Sequence, residues 1–309
     1  MAQSRLAVLI PNYNDAHFLP RVLNSVLSQS KIPDEIWVSD DASTDNSLEV
    51  LDEFSRRHPQ IQVLRNTENL GIPVNSFKPF YATSCDYVYT LGTDEYLVNP
   101  DTFREAVDIL DRHPRAGLVC WDYAPVLPDG RVVSEQLQAH PGYLSPEQIC
   151  RRLRSGRFPV LTNNSVMRLK VCLEPGTLCS EAGLNSDWVC CMNIAFRHGI
   201  YYLPGIYNHF PVRPDGLAVK SRPRIRDSLR QILEVLKQPQ FSDVRHQYAE
   251  SKAFANYLPE VVEVLLSRPE YWKYLSLRMA AYYLRIRARE FLPGLGLVAR
   301  TWRKWSRNR

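Results

Sequence analysis

Four times in the first hundred residues a short run of apolar, β-branched and aromatic residues breaks off into a polar cluster. Leu6 to Ile10 gives way to Asn12-Tyr13-Asn14-Asp15, and Glu35 to Ser39 gives way to Asp40 through Asp45. Ile61 to Arg65 leads into Asn66 to Gly71, and Tyr87 to Leu91 into Asp94-Glu95. Each run has strand length, and the stretches between them have helical spacing: Phe18, Leu19, Val22, Leu23, Val26 and Leu27, then Leu48, Val50, Leu51 and Phe54. Strands alternating with helices imply parallel pairing and a doubly wound α/β sheet. Such sheets bind ligands outside the carboxyl ends of their strands, so the four clusters share one rim, where function is to be sought.

Further along, Pro73 fits the first turn of a helix running toward Thr83, Thr102 to Arg112 reads as a helix, and Gly117 to Tyr123 as a fifth strand. Asp129-Gly130 signals a hairpin, and Ser145-Pro146-Glu147-Gln148 has capping-box spacing with Pro at the first helical position. Val160 to Arg168 returns a strand to the sheet. Leu184 to Gly199 reads as a helix capped by Asn185 or Ser186, and Tyr201 to Leu203 as a short strand. From about Pro223 the pattern turns mostly helical, which sets a boundary near Lys220: an α/β domain over 1–220, with halves of about 1–100 and 101–220, and a helical region over 221–309.

Composition narrows the class. Of 309 residues, 45% are apolar and 23% charged, which is globular material rather than disorder. Seven scattered cysteines without a CxxC pair point to reduced thiols in a cytoplasmic protein and away from structural zinc. Leu6 to Ile10 is too short for a signal sequence, and no 18-residue apolar run predicts a spanning helix. The last 40 residues hold ten Lys/Arg against Glu270 and Glu290, a balance of +8, whereas the first 269 sum to −3. Trp272, Tyr274, Tyr282, Tyr283, Trp302 and Trp305 interleave with those cations. Three readings stay open for this tail: a core-packing helical subdomain with a solvated basic end, a surface that docks on an anionic bilayer, or a nucleic-acid surface, for which no module is recognisable.

Two adjacent carboxylates at a strand end, Asp94-Glu95, suit a solvated turn or a divalent-cation site. The company they keep is informative. VLIPNYND at Val8 to Asp15 with a helix ending in SVLSQS, EIWVSDDASTDNS at Glu35 to Ser47, NTENLGIP at Asn66 to Pro73 and YVYTLGTDEYLVNP at Tyr87 to Pro100 follow one another in an order and spacing that resembles the inverting nucleotide-sugar glycosyltransferases of family two, with the GT-A fold. The resemblance covers roughly Leu6 to Lys220.

It implies that Pro11 and Tyr13 lie against the nucleotide base, with Tyr13 stacking on it. Asp41 accepts hydrogen bonds from base or ribose, Asp40 shapes that loop, and Gly71 lets the backbone approach the donor. Asp45 reads as a helix cap. The segment Leu91 to Glu95 matches the family's metal-binding Asp-x-Asp: Asp94 takes the place of the second acid, which holds Mg²⁺ or Mn²⁺ on the diphosphate. Gly92 stands where the first acid belongs, with Glu95 as a compensating ligand. Asp187, in Asn185-Ser186-Asp187-Trp188, matches the base that takes the acceptor proton, although Ser186 replaces the Glu that often precedes it. On spacing alone Asp187 equally suits a helix N-terminus. His209 and Arg213, in the loop NHFPVRPDG, match a segment that closes over the diphosphate, His209 as a metal ligand and Arg213 as a phosphate partner.

The expected function is transfer of a sugar, from UDP first because Tyr13 and Asp41 suit a pyrimidine, to a saccharide or lipid-linked saccharide at the cytoplasmic membrane face. Nucleic acid is not an expected partner. Gly92 and Ser186 keep open a family member that binds nucleotide sugars without turnover. A nucleotidyltransferase is disfavoured because no Gly-rich, basic phosphate loop follows the first strand.

Overall fold

A computed structural model describes residues 4–134, 136–155, 161–214, 216, 224–254 and 259–291. The strands are β1 (Leu6–Asn12), β2 (Glu35–Asp40), β3 (Ile61–Arg65), β4 (Tyr87–Thr90), β5 (Tyr96–Leu97), β6 (Leu118–Cys120), β7 (Pro125–Val126), β8 (Gly142–Leu144), β9 (Ser165–Arg168), β10 (Ile200–Tyr202) and β11 (Asn208–Pro211). Among the described residues eight of them form one sheet in the order β3-β2-β1-β4-β9-β6-β10-β8. Six run in one direction, while β9 and β8 run against them. The expected doubly wound, mostly parallel sheet is therefore present, with the strand before Arg168 inserted antiparallel between β4 and β6. β5, β11 and β7 make a second, three-stranded sheet beside the rim.

β1 explains why the sheet is covered on both faces. Leu6, Val8 and Ile10 point into a core with α1 (Leu19–Leu27), α2 (Ser47–Arg57) and α4 (Thr102–Arg112), while Ala7 and Leu9 point into the opposite core. That second core takes in α3 (Ile72–Phe77), α5 (Pro146–Arg154), α6 (Leu169–Cys172) and α7 (Ser186–His198). It continues without a break into α8 (Ile225–Val235), α9 (Arg245–Ser251), α10 (Pro259–Leu266) and α11 (Leu277–Phe291). The change of pattern near Lys220 thus marks a change of element type and leaves the packing undivided. All seven cysteines are free and buried. Among the described residues no helix is long and apolar enough to cross a membrane.

Two local results differ from the sequence reading. β1 does not end with Ile10 but runs through Pro11 to Asn12, with Pro11 beside Ser39 in the β1–β2 register. Leu9 accepts from Leu91 on the β4 side and Asn12 accepts from Asp41 on the β2 side, so alternate residues serve alternate neighbours. Pro11 faces the β4 side beyond the last rung, where its missing N–H costs nothing. The segment holding His209 is a strand, β11, and not a loop: His209 pairs with Tyr96 and Phe210 with Pro125. The capping box at Ser145 forms as the spacing implies, Ser145 accepting from the Gln148 amide and Gln148 from the Ser145 amide.

The end of α7 that bears Asp187 is held from behind. Trp188 packs its ring against Tyr248 and Phe254, at centroid distances of 5.9 and 5.8 Å. Gly183, with φ 64°, lets the preceding segment meet α8, since a Cβ there would come within 2.5 Å of the Gln231 amide oxygen.

Candidate active site

At the β1–β2–β3 end of the rim the loops are tied to one another through buried side chains. Asp40 accepts from the Asn12 amide (2.7 Å) and from the Ser43 amide and hydroxyl (3.0 and 2.6 Å). Asp41 accepts from Asn66 (2.9 Å), the Leu70 amide (2.8 Å) and the Gly71 amide (2.9 Å). Asn75 lies beneath both, accepting from the Ser39 hydroxyl (2.6 Å) and Asn66 and donating to the Ser39 carbonyl (2.8 Å). Asn14, at φ 53°, accepts from the Thr44 amide (2.7 Å) and so joins the first polar cluster to the second. Asp45 accepts from the Ser47 amide at the start of α2 and from Ala16, both at 3.0 Å, which makes it a helix-start acceptor as expected.

This geometry revises the part assigned to Asp41. With an exposure of 2%, it lies behind the 66–71 loop and holds it, where the sequence reading had it facing the base. Two amide N–H groups and a side-chain amide would be left unpaired without it. The surface that faces outward here is the Tyr13 ring, 46% exposed, with half-buried Pro11 and the backbone at Leu70-Gly71. Gly71 adopts φ 81°, and nothing lies within 4 Å of where its Cβ would be, so its backbone stands beside open space. Asp40 has the loop-shaping place expected of it.

At the β4–β6 end the carboxylates have fewer partners. Asp94 forms an ion pair with Arg213 (3.0 Å), whose guanidinium lies over the Phe18 ring at 4.3 Å and within 3.9 Å of Asp15. Arg21 donates to the Asp94 carbonyl (2.7 Å) and covers the Tyr96 ring. Burial raises the proton affinity of Asp94 above the ordinary carboxylate value; Arg213 opposes this and Asp15 adds to it. Glu95 folds back under Gly92, accepting its amide (3.0 Å) and the Asn163 amide (3.1 Å). Burial pushes it up to about 8, against the pull of those donors and with help from the charges of Asp94 and Asp187.

Asp187, half-buried at the start of α7, is pushed up to about 6 by burial, against the pull of the Trp188 amide and its own. Tyr123 was missed in the sequence, read only as the end of a strand. Burial pushes it up to about 12, and the charges of Glu95, Asp187 and Asp94 all add to the rise.

The three metal ligands expected from the sequence are not brought together. Among the described residues no three His, Cys, Asp or Glu side chains form a metal set. Glu95 turns inward because Gly92 leaves it room, and strand alternation in β11 sends His209 toward the Tyr96 hydroxyl (3.2 Å). Burial lowers the His209 pKa. What fits a hard divalent cation is Asp94, with Asp15 beside it: oxygen donors whose mutual charge a cation would relieve.

An open, mostly parallel sheet with polar loops and an acidic corner at its carboxyl rim defines an α/β domain of the GT-A type. The model of glycosyl transferase family 2 matches residues 7–160. The chain belongs to this family. An uncharacterised protein of Mycobacterium tuberculosis is 28% identical over 133 residues, 42% of this chain and 38% of its own length. Chondroitin synthase of Pasteurella multocida is 28% identical over 142 residues, 46% of this chain and 14% of the synthase. The matched stretch thus spans well under half the length of these relatives. Among solved structures, S. aureus TarS 1–349 in complex with UDP-GlcNAc superposes with a TM-score of 0.67 at 17% identity, over 90% of this chain and 83% of that 1–349 piece. Mannosyltransferase PcManGT from Pyrobaculum calidifontis, in complex with GDP-Man and Mn²⁺, superposes at 0.59 with 19% identity, over 98% of this chain and 84% of that one. These two likenesses concern the fold.

Proposed function

We propose that this protein transfers a sugar, with inversion, from a nucleotide-diphosphate sugar to a hydroxyl of a saccharide or lipid-linked saccharide. The observation that carries the proposal is that the charges of an acidic corner at Asp94 and of a half-buried carboxylate at Asp187 bear on the same two side chains, Glu95 and Tyr123. A single displacement needs one base, and a carboxylate lifted to about 6 by burial binds a proton more tightly than a free one while remaining ionised at neutral pH. Asp187 takes the acceptor proton as the hydroxyl oxygen attacks the anomeric carbon, and the bond to the diphosphate breaks on the opposite face. Arg213 leaves Asp94 for the diphosphate, for which its forked donors suit it. Asp94 is the residue that would hold Mg²⁺ or Mn²⁺, which would supply neutralisation of the charge developing on that leaving group. Tyr13, Pro11 and Gly71 receive the base, and Asp40 and Asp41 keep their loops in shape. UDP is the first nucleotide to test, with UDP-GlcNAc bound by TarS and GDP-Man by the archaeal mannosyltransferase supporting both candidates.

The working location in this reading is the cytoplasmic face of the membrane. In support, α11 exposes Leu277 (92%) and Leu284 beside the exposed Arg278 and Arg285, a mixed apolar and cationic surface that suits anionic lipid. The rest of the basic tail, 292–309, lies outside the described residues. Liposomes with anionic lipid should bind the full chain and bind a chain ending at Phe291 with Leu277→Asp and Leu284→Asp less well. Equal binding removes the membrane.

Turnover of UDP-, GDP- and dTDP-sugars with Mg²⁺ or Mn²⁺, in wild type and Asp187→Ala, tests the transfer reading. Product from wild type and a loss of about a hundredfold or more in the variant is the expected result. A donor that binds without any turnover by wild type would instead make this a binding-only family member.

A further inference from the structure

One face of α5 has work left over once the core and the helix end are served. Ile149, Cys150 and Leu153 pack inward, whereas Gln148, Arg151, Arg152 and Ser155 follow one another at helical spacing and line an open hollow of about 450 Å³. Basic residues in a last turn ordinarily answer the carbonyls and dipole of the helix end. Here other groups do so, and two of the three arginines are drawn elsewhere. Arg278, from α11, donates to the Ser155 carbonyl (2.9 Å). Arg152 donates to Gln138 (2.6 Å), and Arg154 donates to the Glu250 carbonyl (2.9 Å) and carboxylate (2.7 Å). Arg151 is exposed, and no acceptor among the described residues engages it. Glu147, one turn earlier, is held at the Ser145 hydroxyl (2.6 Å), and Gln148 gives its oxygen to the Ser145 amide and keeps its N–H donors. The residues lining the hollow therefore offer N–H donors and no carboxylate.

Two neighbours of the hollow indicate what it faces. On one side stands α9. Its Glu250 takes Arg154, while its Tyr248, two residues earlier, packs against Trp188, the residue after Asp187, and donates to Asn193 of α7 (2.9 Å). The end of α5 is thus set off from the start of α7 by one helix, roughly 10 Å across. On the other side Arg278 opens α11, where Leu277 and Leu284 stand out into solvent beside Arg285. Guanidinium forks suit phosphate oxygens, and an apolar, cationic flank suits a hydrocarbon chain under an anionic head. Resting on the transfer reading above, we propose that the hollow at the end of α5 holds the phosphate of a lipid-linked acceptor. Arg151 and Arg278 are its anchors, α11 lies along the lipid, and the acceptor's sugar is presented to Asp187.

Flotation of the full chain with phosphatidylcholine vesicles, without donor or metal, tests this. One set of vesicles carries polyprenyl diphosphate and a second carries phosphatidylserine at the same surface charge. Wild type should bind the first set about tenfold more tightly than the second. Arg151→Gln combined with Arg278→Gln should erase that preference, and Arg151→Lys should keep most of it. Hydrolysis of the nucleotide sugar by water should stay within about twofold in both variants, since neither residue touches the donor. Equal binding of the two vesicle sets by wild type, or a preference that survives the double variant, overturns the proposal. Inorganic diphosphate bound in calorimetry as tightly as the vesicles would make the hollow a soluble-anion site and overturn it too. A wild type that shows the preference yet consumes no UDP-, GDP- or dTDP-sugar defeats the transfer reading, and with it the acceptor role, while upholding the phosphate site.

Discussion

At one end of the rim Asp40 and Asp41 each receive three protein donors and are almost wholly buried; at the other, Asp187 has the amides of its own helix start, and Asp94 has a guanidinium lent by a distant strand end. The same residue type thus does two kinds of work. Saturated carboxylates fix the shape of loops and are inert. Carboxylates left short of donors have raised proton affinities and are available to a ligand, at a cost in stability. The contrast separates parts that should fail by unfolding from parts that should fail by losing turnover.

The largest expected effect is at Asp187. Asp187→Asn should lower kcat by about 10²–10⁴ while the protein remains folded. Its carboxyl binds a proton more tightly folded than unfolded, so its contribution to stability falls as pH rises from about 4 toward 6. The Asn variant should therefore be the more stable at pH 7, by on the order of 2 kcal/mol in chemical denaturation. Wild-type kcat should rise with pH through about 6. A variant less stable than wild type would erase the distinction between the two ends.

Asp94→Asn should cost about 10²–10³ in kcat and abolish the response to Mn²⁺, read by metal titration of turnover. Asp41→Ala belongs to the other class. With three donors left unpaired it should lose about 2–4 kcal/mol of stability, seen as a lower denaturation midpoint. The smallest expected effect sharpens the saturated end: Ala42 sits at φ 60°, so Ala42→Gly should gain up to about 1 kcal/mol.

What the sequence made legible follows the range of the interactions. The strands, the helices and the four polar clusters depend on periodicity and turn chemistry within a dozen residues, and all of them appear in the fold. The capping box at Ser145 is visible for the same reason. The amide knot around Asn75 was not, because its partners Ser39 and Asn66 come from separate loops; its one signal was a buried-face polar residue in a helix one and a half turns long. β5 and β11 are too short to have a period, so His209 was read as a loop residue and given a metal that its strand turns it away from. Tyr123 was legible as apolar strand material and illegible as a phenol on which the charges of three acids bear. Gly92 was plainly visible, but as a missing ligand; only the fold shows it as room for Glu95.

The ring of Trp188, wedged between Tyr248 and Phe254, ties the residue after Asp187 to helices well over a hundred positions from the first strand. Tyr271, Tyr274 and Met279 bury themselves in the same mass. Shortening the chain before that point removes the backstop of the reacting end along with the basic tail, so a loss of lipid binding and a loss of turnover would arrive together and for unrelated reasons. Chimeras that exchange acceptor regions between relatives face the same constraint: the joint must fall beyond Met279, or the reacting helix must travel with its own buttress.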